Sequence, residues 1–309
     1  MSKKVVIVSS EFPPLPGGIG THAMQLSIAL TKKRWEVRVI TNQRDSTTSE
    51  QIFDSNLSFN VTRVKRRKIV LFTYFERILK SVKIVLNCHP DVVLLSGQFS
   101  LWMIFILKIV FSKAKYIAVI HGSELYSGGK FKQWLTKRSL KKLESIITVS
   151  YFTANLLKKA TGIEKVEIIN NGFYPSDISV SNRNTFIKAP VLITVGNLSE
   201  RKGQLNVIKV LPELLKSYPN LKYHMLGIPT IQNKIMNLAT SLGVQNNIEI
   251  FGKVNEEEKM RLLSEATVFI MLSENLKDGD VEGFGIAAIE AQSNGLPVIG
   301  ATESGINDA

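Results

Sequence analysis

The chain has 309 residues, 44% of them apolar and 21% charged, with a net charge of +13 and a single cysteine. That balance excludes a disordered chain and leaves room for two domains of ordinary size, while one cysteine excludes an internal disulfide and suits a reducing compartment. The charge is lopsided: residues 1–175 hold 27 Lys/Arg against 11 Asp/Glu and residues 176–309 hold 12 against 15, so an anionic partner, nucleic acid or membrane surface, is expected of the first half only.

Residues 1–10 run straight into a strand pattern, so no signal peptide is expected. Strands are predicted near 4–9, 36–41, 91–95, 115–120, 145–149 and 165–169, with helices near 19–33, 70–87, 100–112, 129–143 and 151–160. Short β-branched runs alternating with helical stretches are the pattern of parallel α/β units. After the first strand comes Glu11-Phe-Pro-Pro-Leu-Pro-Gly17-Gly18-Ile-Gly-Thr-His22. Two glycines ahead of a helix let backbone approach a ligand closely and expose N–H donors; a plain turn is the alternative. The segment lacks GxGxxG, which makes a nicotinamide-dependent enzyme a weak rival.

From Val64 to Lys83 basic and large apolar residues mix, as in a helix lying at a membrane interface, or in a solvated charge run ahead of a core helix. Its cations are Lys65, Arg66, Arg67, Lys68, Arg77, Lys80 and Lys83, and four of them facing one way would suffice for reversible binding to anionic lipid. No nucleic-acid motif accompanies them. The run from Leu101 to Val110 is broken by Lys108, is too short to span a bilayer, and reads as a buried helix. His121 closes a predicted strand, a position that in parallel sheets faces the ligand crevice, although a satisfied structural histidine fits too. Ser150 and Thr153 read as helix caps, and Asn171-Gly172 as a turn into a polar stretch over 173–189 that serves as a linker.

The second half restarts the pattern, with strands near 190–195, 221–226, 248–251, 267–271 and 297–300 and helices near 203–217, 230–242, 255–264 and 285–293. Two Rossmann-like doubly wound domains, residues 1–172 and 190–309, are therefore expected to face a central cleft. Gly196-Asn197-Leu-Ser-Glu-Arg201-Lys202-Gly203 sets two cations beside a helix start, which suits a diphosphate. Lys253-Val254 follow a strand. Asp278-Gly-Asp280 imitates a metal-binding DxD, but no metal ligand is expected in this loop. Glu282-Gly283-Phe284-Gly285-Ile-Ala-Ala-Ile-Glu290 places two carboxylates eight positions apart, about two helical turns, around a helix start whose open N–H groups favour an anion. Two ordinary exposed glutamates on an amphipathic helix are the plainer alternative.

That last segment resembles the Glu-x7-Glu motif of retaining glycosyltransferases of the GT-B fold, the glycosyltransferase family 4 type, and the resemblance extends in order over residues 5–308. It implies a nucleotide-sugar donor, UDP- or GDP-linked, in the second domain and an acceptor in the first. His121, Lys202 and Glu282 are implied as the catalytic set. Gly17, Gly18, Asn197, Arg201, Lys253, Val254, Gly283, Phe284, Gly285 and Glu290 are implied in donor binding, Lys253-Val254 at the base and Glu290 at the ribose. The family places a phosphate cation where Asn197 stands, so Arg201 is expected to supply that charge instead. No metal or cofactor is implied beyond the donor. With the basic first half, the resemblance points to a lipid-linked or polysaccharide acceptor, cell-envelope synthesis, and a cytoplasmic protein peripheral to the inner membrane face. Relatives continue past Asn307-Asp308, so the sequence suggests C-terminal truncation, and an inactive nucleotide-sugar-binding relative is the alternative.

Overall fold

The structure, a computed structural model, describes residues 2–172, 189–276 and 279–309. Nearly all of the expected linker, and Asp278, lie outside the described residues. The chain forms two units, residues 1–172 and 173–309.

The first unit contains β1 (Lys4–Ser9), α1 (Gly18–Lys32), β2 (Glu36–Asn42), α2 (Thr47–Ser55), β3 (Asn60–Val64), α3 (Val70–Cys88), β4 (Val92–Ser96), α4 (Gln98–Trp102), α5 (Ile104–Val110), β5 (Lys115–Ile120), α6 (Ser123–Tyr126), α7 (Lys130–Leu140), β6 (Ser145–Thr148), α8 (Tyr151–Thr161) and β7 (Glu167–Ile168). Its seven-stranded sheet is parallel throughout, in the order β3-β2-β1-β4-β5-β6-β7. Helices cover both faces, which is why Val5-Val-Ile-Val8 of the central strand is apolar without alternation and wholly buried. The strand order reverses between β1 and β4, so the crevice that binds ligands in such sheets opens at the carboxyl ends of those strands. Ser150 caps α8 with Thr153 in a reciprocal capping box, as its sequence suggests.

Three readings of this unit need correction. The pair α2 and β3 escapes sequence analysis because β3 is a short edge strand in which only Val64 is buried, and its Arg63 belongs to a longer basic run. The helix expected over 100–112 is two helices meeting at Met103. It is not buried on all sides: Leu101, Ile104 and Leu107 face inward while Ile109 is 85% exposed. Arg77 offers nothing to a surface, because its side chain is fully buried and donates to the Ser9 carbonyl at 2.6 Å and to Ser100 Oγ at 2.8 Å. Burial pulls its pKa down to about 10, partly offset by the nearby Tyr74 hydroxyl.

The second unit contains β8 (Val191–Val195), α9 (Gln204–Ser217), β9 (Lys222–Leu226), α10 (Gln232–Ser241), β10 (Ile248–Gly252), α11 (Glu256–Glu265), β11 (Val268–Met271), α12 (Ile286–Ser293) and β12 (Val298–Gly300). Its parallel sheet runs β10-β9-β8-β11-β12. Val207, Ile208, Leu211, Ile235 and Ala239 pack on one face; Leu262, Leu263, Ala288, Ala291 and Leu296 pack on the other. Apolar residues three and four apart on α9 and α12 create those two faces. Among the described residues no helix is long and apolar enough to cross a membrane.

Candidate functional site

β8 delivers the chain to Gly196, whose φ of 142° is costly for any other residue. A Cβ there would stand 3.1 Å from Cε and 3.3 Å from Nζ of Lys202, so the glycine makes room for the returning lysine side chain. A single 3-10 turn, Glu200–Lys202, carries Arg201 and Lys202 side by side ahead of α9. It closes at Gly203, with φ of 74°, where a Cβ would collide with the Leu272 carbonyl. The Arg201 carbonyl accepts the Glu274 N–H at 2.7 Å, tying the turn to the end of β11.

Glu282 meets both cations. Arg201 Nη1 and Lys202 Nζ reach the same oxygen, Oε2, at 2.5 and 2.6 Å, and Arg201 Nε also lies 2.9 Å from Asp280. Burial alone would raise the Glu282 carboxyl, but Lys202 and then Arg201 outweigh it and hold the pKa at about 2. Arg201 loses by burial and gains more from Glu282 and Asp280, so its pKa moves up. The loop carrying Glu282 is fixed from behind: the Gly305 N–H donates to the Glu282 carbonyl at 2.8 Å, and a Cβ on Gly305 would strike the Gly283 carbonyl. Gly285, with φ of 94°, then turns the chain into α12, and Phe284 is buried beside it. Two cations and a shared carboxylate thus meet in the loop that leads into α12, an arrangement able to hold a polyanion.

Other residues singled out from sequence fall differently. Glu290 projects from α12 toward α11, where Lys259 Nζ lies 3.1 Å away and Glu256 holds the same ammonium at 2.8 Å. Burial raises the Glu290 pKa against the pull of Lys259. Asn197 presents no replacement charge: its Oδ1 accepts the Ile228 N–H at 3.4 Å and its carbonyl accepts Gln204 Nε2, bracing the loops after β8 and β9. Lys253 is exposed and Val254 half-buried where the chain leaves β10. Asp280 serves Arg201, a partnership that sequence reading missed; the signal was its position two residues before Glu282.

In the first unit, Gly17 caps α1 and Gly18 begins it. A Cβ on Gly17 would lie 2.1 Å from the Glu11 carboxylate, whereas beside Gly18 the space is open. His121 is buried at the carboxyl end of β5. Its Nε2 shares a 3.0 Å hydrogen bond with Ser96 Oγ at the end of β4, and its backbone N–H donates to Glu124 at 2.9 Å. His22 of α1 stands edge-on to it, ring centroids 5.1 Å apart. Burial holds His22 down to about 4 and, with the proximity of His22, keeps His121 well below its ordinary value. Both rings are therefore neutral near pH 7. Sequence reading found His121 but missed Ser96, because only the parallel register brings the ends of β4 and β5 together, and missed Glu124, whose signal was local, three residues after His121.

Residues 16–177 match the sequence model described as Glycosyltransferase Family 4, and residues 179–309 match that of Glycosyl transferases group 1. A GDP-mannose-dependent monoacylated alpha-(1-6)-phosphatidylinositol monomannoside mannosyltransferase of Corynebacterium glutamicum is 25% identical over 320 residues, covering 98% of this chain and 81% of its own length. Among solved structures, sucrose-phosphate synthase of Thermosynechococcus elongatus superimposes with a TM-score of 0.77 at 16% identity, over 99% of this chain and 83% of that one. Anabaena Alr3699/HepE in complex with UDP-glucose gives 0.74 at 18% identity, over 99% and 82%. At these identities the structural likeness establishes the fold.

Proposed function

The chain belongs to the Family 4 and group 1 glycosyltransferases and has their GT-B fold, and from that premise we propose that it moves a sugar from a UDP- or GDP-linked donor to a lipid-linked or polysaccharide acceptor, with retention of anomeric configuration. The observation that carries this reading is the convergence of Arg201 and Lys202 on Glu282 in the loop that leads into α12. In the proposed reaction the bond from the anomeric carbon to the diphosphate breaks and a bond from that carbon to the acceptor oxygen forms on the same face. The acceptor's proton passes to the departing phosphate oxygen. Lys202 and Arg201, with the first N–H groups of α12, stabilise the charge that develops there, so the reading calls for no metal. Glu282 orients the donor sugar, Glu290 the ribose, and Lys253-Val254 adjoin the base. The family resemblance assigns His121 to the donor sugar and Gly17-Gly18 to the ligand phosphate and acceptor.

The Corynebacterium relative's name describes a GDP-mannose donor and a phosphatidylinositol mannoside acceptor, and other relatives are named for amylovoran and colanic acid biosynthesis. Those names, with the excess of cations in the first unit, favour work in cell-envelope synthesis at an anionic membrane surface, on its cytoplasmic side. The test is a panel of UDP- and GDP-sugars incubated with the protein and lipid extract. Release of UDP or GDP that requires both donor and extract is expected; a panel in which neither nucleotide is released nor any donor raises the melting temperature contradicts the proposal.

A further inference from the structure

The first unit exposes many large apolar side chains, and two groups of them lie close together in sequence on single helices. Leu71, Phe72, Phe75 and Leu79 on the first turns of α3 are between 53% and 73% exposed. Their spacing of one, three and four lays them along one stripe of the helix, opposite the buried Thr73, Arg77 and Ser81. On α7, Phe131 and Trp134 are 71% and 50% exposed and stack on each other at 5.8 Å.

Topology places both patches on one face of the sheet and at the same end of its strands, with α4 in contact with both helices. In a parallel sheet a helix that follows a strand starts at the strand's carboxyl end, so α3 after β3 and α7 after β5 both begin on that side. The crossover from β3 back to β4 runs opposite in direction to β1-β2-β3; right-handed connections then put α3 on the face shared by α4, α5 and α7. Side chains join them: Tyr74 of α3 stacks on Phe99 of α4 at 4.1 Å, and Trp102 of α4 donates to Thr136 of α7 at 3.1 Å.

Charge identifies the occupant. Residues 65–75 contain four cations and no carboxylate, and residues 127–143 contain six cations and no carboxylate. Arg67 is tied to Glu76, and Arg138 and Lys142 lie over the Trp134 and Phe105 rings at 5.0 and 5.7 Å; of the other seven, Lys137 and Lys141 sit toward or beyond the end of α7, and Lys65, Arg66, Lys68, Lys130 and Lys132 precede or begin the two helices that carry the apolar residues. Large apolar side chains ringed by cations fit a surface that is apolar at depth and anionic above. A soluble polyanion would have no use for the leucines and phenylalanines. We propose that the first turns of α3 and α7, joined through α4, form one docking rim that enters the headgroup region of an anionic lipid bilayer. The rim makes specific the membrane partner proposed above and does not depend on glycosyl transfer, since no residue of the Arg201–Lys202–Glu282 cluster takes part.

The experiment is flotation of the full chain with vesicles of phosphatidylcholine alone and with added phosphatidylglycerol, at low and high salt. The parent is expected to float with the phosphatidylglycerol vesicles and to keep part of its binding at high salt. Phe72→Ser with Phe75→Ser, and separately Phe131→Ser with Trp134→Ser, are expected to lower the bound fraction about tenfold at unchanged melting temperature, because these side chains are already exposed. As a second readout, Phe72→Cys is labelled with an environment-sensitive dye; the native Cys88 is buried. The dye should shift to the blue on anionic vesicles. Doubly substituted variants that float like the parent overturn the proposal, as does a dye that reports water in the bound protein. So does a parent that is a dimer which the substitutions split, since a second copy then covers the rim. Nucleotide titration of the same variants is expected to match the parent, and a protein that floats as described yet binds no nucleotide would refute the transferase reading alone.

Discussion

Arg201 and Lys202 in the second unit reach one part-buried carboxylate within 2.6 Å, whereas Lys65, Arg66, Lys68, Lys130 and Lys132 in the first unit stand in segments without a single Asp or Glu. Both groups are basic, and the difference lies in what neutralises them. The matched pair is held in one geometry before any ligand arrives, which suits a small anion with fixed bond lengths. The unmatched cations are spread along a rim among exposed aromatic and aliphatic side chains, which suits a surface that has charge density and no fixed geometry. The formal charge of a unit therefore says little until each cation has been paired with its neighbours.

The largest effect that can break this contrast is expected from Glu282→Gln. Removing one partner of a buried ion cluster costs about 3–5 kcal/mol, so hydrogen exchange in α12 should rise steeply and transfer should be lost, while affinity for plain UDP or GDP is retained. An unchanged α12 with lost nucleotide affinity would mean that Glu282 holds the nucleotide and does not brace the cations.

Acid should separate the units in the opposite order. His22 has a folded pKa of about 4, below its ordinary 6.5, and His121 is lowered too. The unfolded chain then binds more protons at His22 between those values, and the stability supplied by the neutral His22 ring falls as pH drops from 6.5 toward 4, by up to about 1.4 kcal/mol per pH unit; His121 acts in the same direction. Glu282 is depressed to about 2, so its contribution is complete above its ordinary 4.5 and is lost only as pH falls from there toward 2. Hydrogen exchange at pH 5 should therefore show α1 and β5 loosened with α12 intact; equal loosening of both units would undo the assignment.

Smaller effects sharpen the picture. Glu290→Gln is expected to weaken UDP or GDP and the full donor alike, by about 1.5–3 kcal/mol if it holds the ribose; a calorimetric loss confined to the full donor would move Glu290 to the sugar. The smallest change is expected from Arg66→Gln, about 1 kcal/mol of lipid affinity, read as a lower bound fraction on anionic vesicles that vanishes as salt shortens the Debye length.

Much of this was legible in the sequence. The strands of the second unit and the start of α12 fall within a residue or two of expectation, because β-branched runs and the Gly-Phe-Gly turn are local signals. Lys202, Arg201 and Glu282 were found through motifs, yet nothing local says that both cations share one oxygen of Glu282. That contact joins residues about eighty positions apart and depends on Gly196 and Gly305 making room. Ser96 beside His121, and Lys259 beside Glu290, were illegible for the same reason. The stretch from Val64 to Lys83 reads either as an interfacial helix or as a charge run ahead of a core helix, and folding divides it: Arg77 turns inward to Ser9 and Ser100, Lys80 pairs with Glu76, and Leu71, Phe72, Phe75 and Leu79 turn out, as the first reading expects and the second does not. Helical spacing shows that a helix has two faces without saying which one the domain keeps.

If the two matched cations seat the donor's diphosphate, calorimetric titration of UDP- and GDP-sugars into the parent and into Lys202→Ala will show it. The donor bound by the parent is expected to be held more weakly by the variant by about 1.5–3 kcal/mol, roughly ten- to a hundredfold in Kd. Equal affinity in parent and variant would contradict it.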